Sequence, residues 1–411
     1  MSLSLLLACQ GPELDEALLD PETCRGCHPD HVQQWEGSMH AYAGQDPVFR
    51  AMNERGQREA DLGDFCIKCH APVALALGLT QDGTNLDEVP DHLQGVTCAS
   101  CHGIESVQQH NNAGFTLSLD GVFRGALDGP VDNDVHGSTY SPLQDRNDSS
   151  SSELCGSCHD VLTPLDVDLE RTYAQWSETI FNSGAASRQS CGHCHMRGRD
   201  GQTTTTIETP QRRLHDHSMA AVDVALTDFP HRAEQLELVR TELESTLLAT
   251  LCVIPASGGA EVTLELDNVT AGHHFPSGAS HDRRVWGRLQ VHLEGADLLD
   301  EPWEFGLHDR GLDASGEETQ LFWEVASIEE RGLPGVNTIG LPHTRTYRQV
   351  VLGDVPDSVV FTLSVTPLPE ALLESLEASG DLDRSELLDP PTFTPISLSW
   401  AGELGSCVTN G

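Results

Sequence analysis

Five segments of the chain carry the same set of reactive side chains. They are Cys24-Arg25-Gly26-Cys27-His28, Cys66-Ile67-Lys68-Cys69-His70, Cys98-Ala99-Ser100-Cys101-His102, Cys155-Gly156-Ser157-Cys158-His159 and Cys191-Gly192-His193-Cys194-His195. Each reads C-x-x-C-H. That spacing suits one chemistry: two thiols add across the two vinyl groups of a haem, and the next residue offers imidazole to the iron. A single copy can be an accident or half of a zinc site. The chain's own Cys and His frequencies predict about 0.02 copies by chance. Five copies therefore point to five covalently attached haems c, with His28, His70, His102, His159 and His195 as the proximal iron ligands.

An iron held on one side by imidazole has a second axial position, and fifteen further histidines compete for it. A weak internal repeat singles out His40. Trp35-Glu36-Gly37-Ser38-Met39-His40 follows the first motif, and Trp176-Ser177-Glu178-Thr179-Ile180-Phe181 follows the fourth. In register, His40 stands where the second copy has Phe181. The local structure does not need histidine there, so His40 is read as a distal ligand. His136 lies in a polar loop before the fourth motif, and His217 in a short polar run after the fifth. His273 and His274 sit in Gly272-His273-His274-Phe275-Pro276-Ser277-Gly278, where Gly and Pro frame a stiff loop suited to presenting one imidazole. The spacing alone does not choose between these two. His193 reads as a spacer inside its motif. His31, His92, His110, His215 and His231 are reserves.

The elements that must hold these residues divide the chain into parts. Residues 1–22 read as a signal and tether: Leu6-Leu7-Ala8-Cys9 resembles a bacterial lipobox, with Cys9 the lipidated residue, although no basic segment precedes it. The apolar run is too short to span a bilayer, so lipid would tether a soluble domain. Gln10 follows Cys9, and no acidic inner-membrane retention signal stands there. The expected location is the periplasmic face or the outer membrane, in an exported, lipid-anchored protein. Residues 23–230 carry all five motifs. They show no sustained helix or strand period. Short helices after each motif, and loops at Leu86 to Gly95, Asn111 to Asp134 and Asp145 to Ser152, are the expectation. A connecting helix is expected over 231–250, starting near Pro230, from Leu236, Val239, Leu243 and Leu247. From 251 to 411 the period becomes two, as in Glu261 to Leu266, Arg288 to Leu293, Val359 to Val365 and Ile396 to Trp400. This predicts an antiparallel β-sandwich, Ig-like, of about seven strands, interrupted by one helix near Pro369 to Ala378. The fold class is thus multidomain α+β: a mostly helical, loop-rich multihaem domain followed by a C-terminal antiparallel sandwich.

Thirteen cysteines less the ten in the motifs leave Cys9, Cys252 and Cys407. Covalent haem attachment belongs to an oxidising compartment, so Cys252 and Cys407 are expected to form a disulfide stapling the ends of the sandwich. The formal net charge is −41, with a single lysine, Lys68. That surface disfavours nucleic acid and anionic lipid and favours a basic redox partner such as a basic cytochrome. Only 38% of the chain is apolar, and haems can supply the missing core.

The run from the first motif through Trp35, Ser38, His40 and Ala41, then Phe65-Cys66 to His70-Ala71-Pro72, then Gly95-Val96-Thr97-Cys98 to His102-Gly103, resembles bacterial multihaem cytochromes c. More narrowly, it is similar to the superfamily of the tetrahaem cytochrome of ammonia oxidisers and hydroxylamine oxidoreductase. His195-Met196 and the Gly272-His273 loop also look like patterns of its lipoprotein members. The resemblance implies closely packed haem pairs, mostly bis-histidine iron, and His40, His136, His217 and His273 as the matching distal ligands, with His273 favoured over His274. It departs from the tetrahaem member in its five motifs and added sandwich, so no fifth distal ligand is implied.

Electron transfer through five haems is the first functional expectation, with other redox proteins as partners. The alternative is an oxidoreductase acting on a nitrogen or sulfur oxyanion at one five-coordinate haem. Pentahaem nitrite reductases use lysine in place of one motif histidine, whereas all five motifs here end in histidine and Lys68 is a spacer. No catalytic residue is assigned, and an electron-transfer protein is favoured over an enzyme. A third reading has the sandwich docking the haem domain to another cytochrome, or to itself in a filament.

Overall fold

A computed structural model describes residues 16–183, 187–293, 296–297, 303–336, 340–352 and 355–411. Cys9 therefore lies outside the described residues. Among them, no helix is long and apolar enough to cross a membrane.

The N-terminal half is built from short helices and hairpins. Motif residues themselves form helical turns, at Ile67–His70, Cys98–His102 and Cys191–His195. The C-x-x-C spacing brings both thiols to one side of such a turn, since residues three apart share a helix face. Helices follow the first two motifs, at Pro29–Glu36 and Pro72–Ala76, each opened by a proline whose fixed φ suits a first helical turn. Among the described residues no helix follows the fifth motif before Arg232–Glu244, and the third and fourth motifs also depart from expectation. They run into strands, Ile104–Val107 and Asp160–Leu162, because β-branched residues follow them and find hairpin partners in Phe115–Leu117 and Asp168–Arg171. The tract from Asn111 to Asp134 is likewise not all loop: Val122–Gly125 pairs in parallel with Gly137–Tyr140. Leu86–Glu88 and Asp91–Leu93 form single 3-10 turns, and a helix begins at Ser151.

The connecting helix is Arg232–Glu244, shorter than the periodicity suggested, because Leu248 already begins the first strand. Beyond it lie two antiparallel sheets. One has the order Thr344–Leu352, Gly259–Asp267, Leu248–Ala256, Ser406–Thr409. The other has Ala296–Asp297, Arg284–Leu293, Ser358–Thr366, Phe393–Trp400, with Trp303–Gly306 also on Arg284–Leu293. Among the described residues they comprise nine strands rather than about seven. The alternation in sequence becomes alternation in burial: Leu251, Val262 and Leu264 of the first sheet pack in one core with Leu289, Phe361, Leu363 and Trp400 of the second. Val239 and Leu243 of the connecting helix close the same core.

Cys407 lies on the last strand rather than after it, directly opposite Cys252 in the ladder, and the two form a disulfide with Cα atoms 4.1 Å apart. The helix Glu370–Ala378 does more than interrupt the sandwich. Its Leu372, Leu373 and Leu376 pack against Val48 and Ala51 of the helix Pro47–Ala60, and Arg58 forms a two-pronged ion pair with Asp381 at 2.6 and 2.8 Å. Sandwich and motif-bearing half are thereby joined side by side.

Candidate haem sites

All five motifs line one connected cavity of about 1450 Å³. Backbone carbonyls orient four of the five motif histidines. Nδ1 of His28 faces Thr203 O at 2.6 Å, His70 faces Ala43 O at 3.2 Å, His102 faces Arg124 O at 2.6 Å and His195 faces Ala220 O at 3.0 Å. A carbonyl only accepts, so Nδ1 carries the proton and Nε2 keeps its lone pair for a metal.

The four histidines singled out as distal ligands each lie opposite one motif histidine. Ring centroids are 6.5 Å apart for His28 and His136, 6.4 Å for His102 and His217, 6.0 Å for His159 and His40, and 6.4 Å for His195 and His273. Two imidazole–metal bonds of about 2.0–2.1 Å each, plus the ring radii, place centroids roughly 6.3 Å apart. Nδ1 of His136, His217 and His273 also faces a carbonyl, of Gly137, His215 and His274 at 3.0, 3.1 and 2.8 Å. These residues fit bis-histidine iron at four sites. His273 takes the place opposite His195, and His274 serves it through its carbonyl. Burial, then neighbouring imidazoles, pushes His40 down to about 4 and holds His217 well below the usual value. Burial likewise pushes His273 down to about 4, partly opposed by its carbonyl partner. Neutral imidazole, the ligating form, is what such surroundings favour.

The second motif differs. Its His70 ring stacks on Phe49 at 3.9 Å, nearly parallel. Among the described residues, no histidine ring stands opposite it at the 6.0–6.5 Å of the other pairs. Of the reserves, His31 lies edge-on to His217 at 4.8 Å, and His110 packs on Tyr173 at 4.6 Å.

Thiols of different motifs meet. The thiols of Cys24 and Cys98, of Cys69 and Cys158, and of Cys155 and Cys191 lie close enough to act on one another's ionisation. Cys101 also lies in the field of Cys158. Neighbourhood therefore runs first, third, fourth, and from the fourth to both the second and the fifth. Burial pushes the Cys66 and Cys101 thiols up to about 12.

Sequence reasoning did not foresee what positions the motifs. Trp35 Nε1 donates to Val96 O at 2.8 Å, and Trp176 Nε1 donates to Gln189 O at 2.9 Å. Each acceptor stands two residues before a motif cysteine, Cys98 or Cys191. Ser38 and Thr179, in the same register, both donate to their tryptophan's carbonyl, at 2.7 and 2.8 Å. His193 is more than a spacer: its Nδ1 accepts from Ser190 N at 3.2 Å and closes a capping box, as Ser100 does for Thr97. The repeated Trp-x-x-Ser/Thr was the available signal.

Glu170 and Asp46 line the cavity and, among the described residues, have no direct cationic partner. Burial drives both upward, Glu170 to about 7 against the opposing field of Arg283, and Asp46 to about 6 against its hydrogen bond from Val48 N. A carboxyl whose folded-state value is raised stabilises the fold while protonated and loses that contribution as pH rises through the raised value. For Glu170 the window runs from about pH 4.5 to about pH 7, worth on the order of 3 kcal/mol. Thermal melts across it are expected to fall more steeply for the native protein than for Glu170→Gln. Equal slopes would count against this account.

Motifs carried on short turns around a common cavity, most with histidine pairs at metal-spanning distance, define the site of a protein holding several covalent haems. Residues 23–103 match the family described as Cytochrome c554 and c-prime. The fold is similar to the crystal structure of a penta-heme cytochrome c552 from Thermochromatium tepidum: TM-score 0.63, 20% identity, covering 93% of this chain and 98% of that one. No curated protein matches the chain. The family match and the fold together support a multihaem bacterial cytochrome c, and with it electron transfer.

Proposed function

We propose that the chain carries five covalent haems c and passes electrons among them, four held between histidine pairs and the second bound through His70 alone. The observation that carries the reading is the set of four imidazole pairs 6.0–6.5 Å apart. When bound, each haem supplies a one-electron iron couple. The chain's own part is to fix the imidazoles through carbonyls, exclude water from the shared cavity and bring neighbouring attachment sites into contact. Membership of the superfamily with hydroxylamine oxidoreductase, a lipid anchor on Cys9, an exported location and a basic redox partner belong to the same proposal. The motif chemistry, the lipobox-like run and the net charge of −41 support them.

A second reading rests on His70: an iron without a second protein ligand can take a small nitrogen or sulfur species. Both readings leave that iron open, so electron paramagnetic resonance of the oxidised protein tests the ligation they share: one high-spin signal beside four low-spin ones is expected. Five low-spin signals would sink the lone-His70 site and with it the second reading, and several high-spin signals would sink the pairings. Added nitrite separates the two: loss of the high-spin signal favours the second reading, an unchanged signal the first.

A further inference from the structure

The arginines of the cavity follow one rule with one exception. Arg124, Arg197, Arg213 and Arg283 line it and are each paired with a carboxylate: Glu105 at 2.6 Å, Glu242 at 3.3 Å, Asp200 at 3.9 Å and Asp223 at 2.7 Å. Arg212 also lines the cavity, and among the described residues it has no carboxylate and no side-chain hydrogen-bond partner. In a chain with 64 acidic residues against 23 basic ones a carboxylate partner is easily found, so a part-buried guanidinium on the cavity wall left without one stands out. Its neighbour His215 has a buried Nε2 with no partner, also in the cavity wall. The field of Arg212 reaches His215, so a permanent cation lies near that unpaired nitrogen. The unpaired buried Nε2 of His215 marks a missing partner, and guanidinium beside imidazole suits a carboxylate. His215 lies in the field of His102, and its own carbonyl holds His217 Nδ1 at 3.1 Å, so the two donors sit beside the third histidine pair.

We infer that Arg212 and His215 form a carboxylate-binding site within the cavity, occupied by a propionate of the haem held between His102 and His217. The inference rests on the five-haem reading above. Arg212 gives the propionate a charge-assisted pair, and His215 donates Nε2–H to it. Arg146 lies close by but is committed elsewhere, donating to the carbonyls of Arg197, Met196 and Leu214 at 3.2, 2.9 and 2.8 Å.

The test is spectropotentiometry of the holoprotein carrying Arg212→Gln, with haem content measured by the pyridine haemochrome. Removing the cation leaves the propionate charge uncompensated and favours ferric iron. One low-spin component is expected to fall by about tenfold in its reduction equilibrium, about 59 mV for one electron, while the other four stay in place. Arg212→Lys should recover at least half of the shift. If Arg212→Gln loads fewer haems than the native protein, His215→Gln carries the test, with a smaller shift of the same sign. Five haems with unchanged potentials would overturn the propionate site alone, whereas fewer than five in the native protein would overturn the reading beneath it. Added acetate should leave the potential of that component unmoved. An anion-dependent shift lost in Arg212→Gln would mean a site open to solvent anions, and would also overturn the inference.

Discussion

Replacing His40 by phenylalanine is expected to convert one low-spin haem to high spin, so that the high-spin signal of the oxidised protein roughly doubles. The argument is local. His40 stands 6.0 Å from His159, ring to ring, and nearly perpendicular to it. Its helix, Met39–Tyr42, is capped by Ser38, whose Oγ accepts from Ala41 N at 3.3 Å. None of this depends on the imidazole, and Phe181 occupies the same register in the second copy, so the turn tolerates the ring. His40→Met is the complementary case. A thioether is a weaker donor toward ferric iron, so the potential of one haem should rise and the other four should hold. If neither variant alters spin state or potential, His40 is not the partner of His159. If His40→Phe unfolds the protein, the repeat has been misread.

Loss of the disulfide is expected to cost the C-terminal sheets about 4–5 kcal/mol, from a closed loop of 155 residues. For a unit of this size that corresponds to a drop in Tm of roughly 10–15 °C. Cys252 and Cys407 are directly opposed across the ladder, and Ser406–Thr409 holds the edge of its sheet by this one pairing. Paired alanine replacement, compared with the native protein in calorimetry, reads the effect. An unchanged Tm would mean the edge strand is held by its hydrogen bonds alone. Because His273 extends from a loop of the same unit toward His195, the variant should also loosen the fifth site before the other four.

What was legible in the sequence was whatever depends on near neighbours. The motif spacing is local chemistry. The alternation at Glu261 to Leu266 and at Val359 to Val365 is a local record of which face is buried. The tract Ser406–Thr409 gave no such record: its four residues have Gly402 and Gly405 before them and only a two-residue tail after, so its pairing comes from Leu248–Ala256, far away in sequence. Ile104 and Val161 betrayed strands by residue type, but the expectation of helix after every motif outweighed them. Context could nominate His40, His136, His217 and His273. It could not say which motif each would face, because that is decided by contacts such as Trp35 to Val96 that span 61 residues. Arg212 looks ordinary in sequence; only its missing partner distinguishes it.

The two tryptophan anchors differ in how much of the molecule they hold. In the later copy, Trp176 reaches an acceptor thirteen residues on, immediately ahead of Cys191. In the earlier copy the same bond, ahead of Cys98, encloses everything from residue 36 to 95, including the second motif. That stretch holds the second site, with Phe49 against His70, and also His40, the imidazole that faces His159. One indole hydrogen bond thus closes a loop that serves two iron sites, whereas its counterpart at Trp176 closes only the approach to the fifth motif. Loosening Trp35 would reach the second and fourth irons together, and loosening Trp176 the fifth alone.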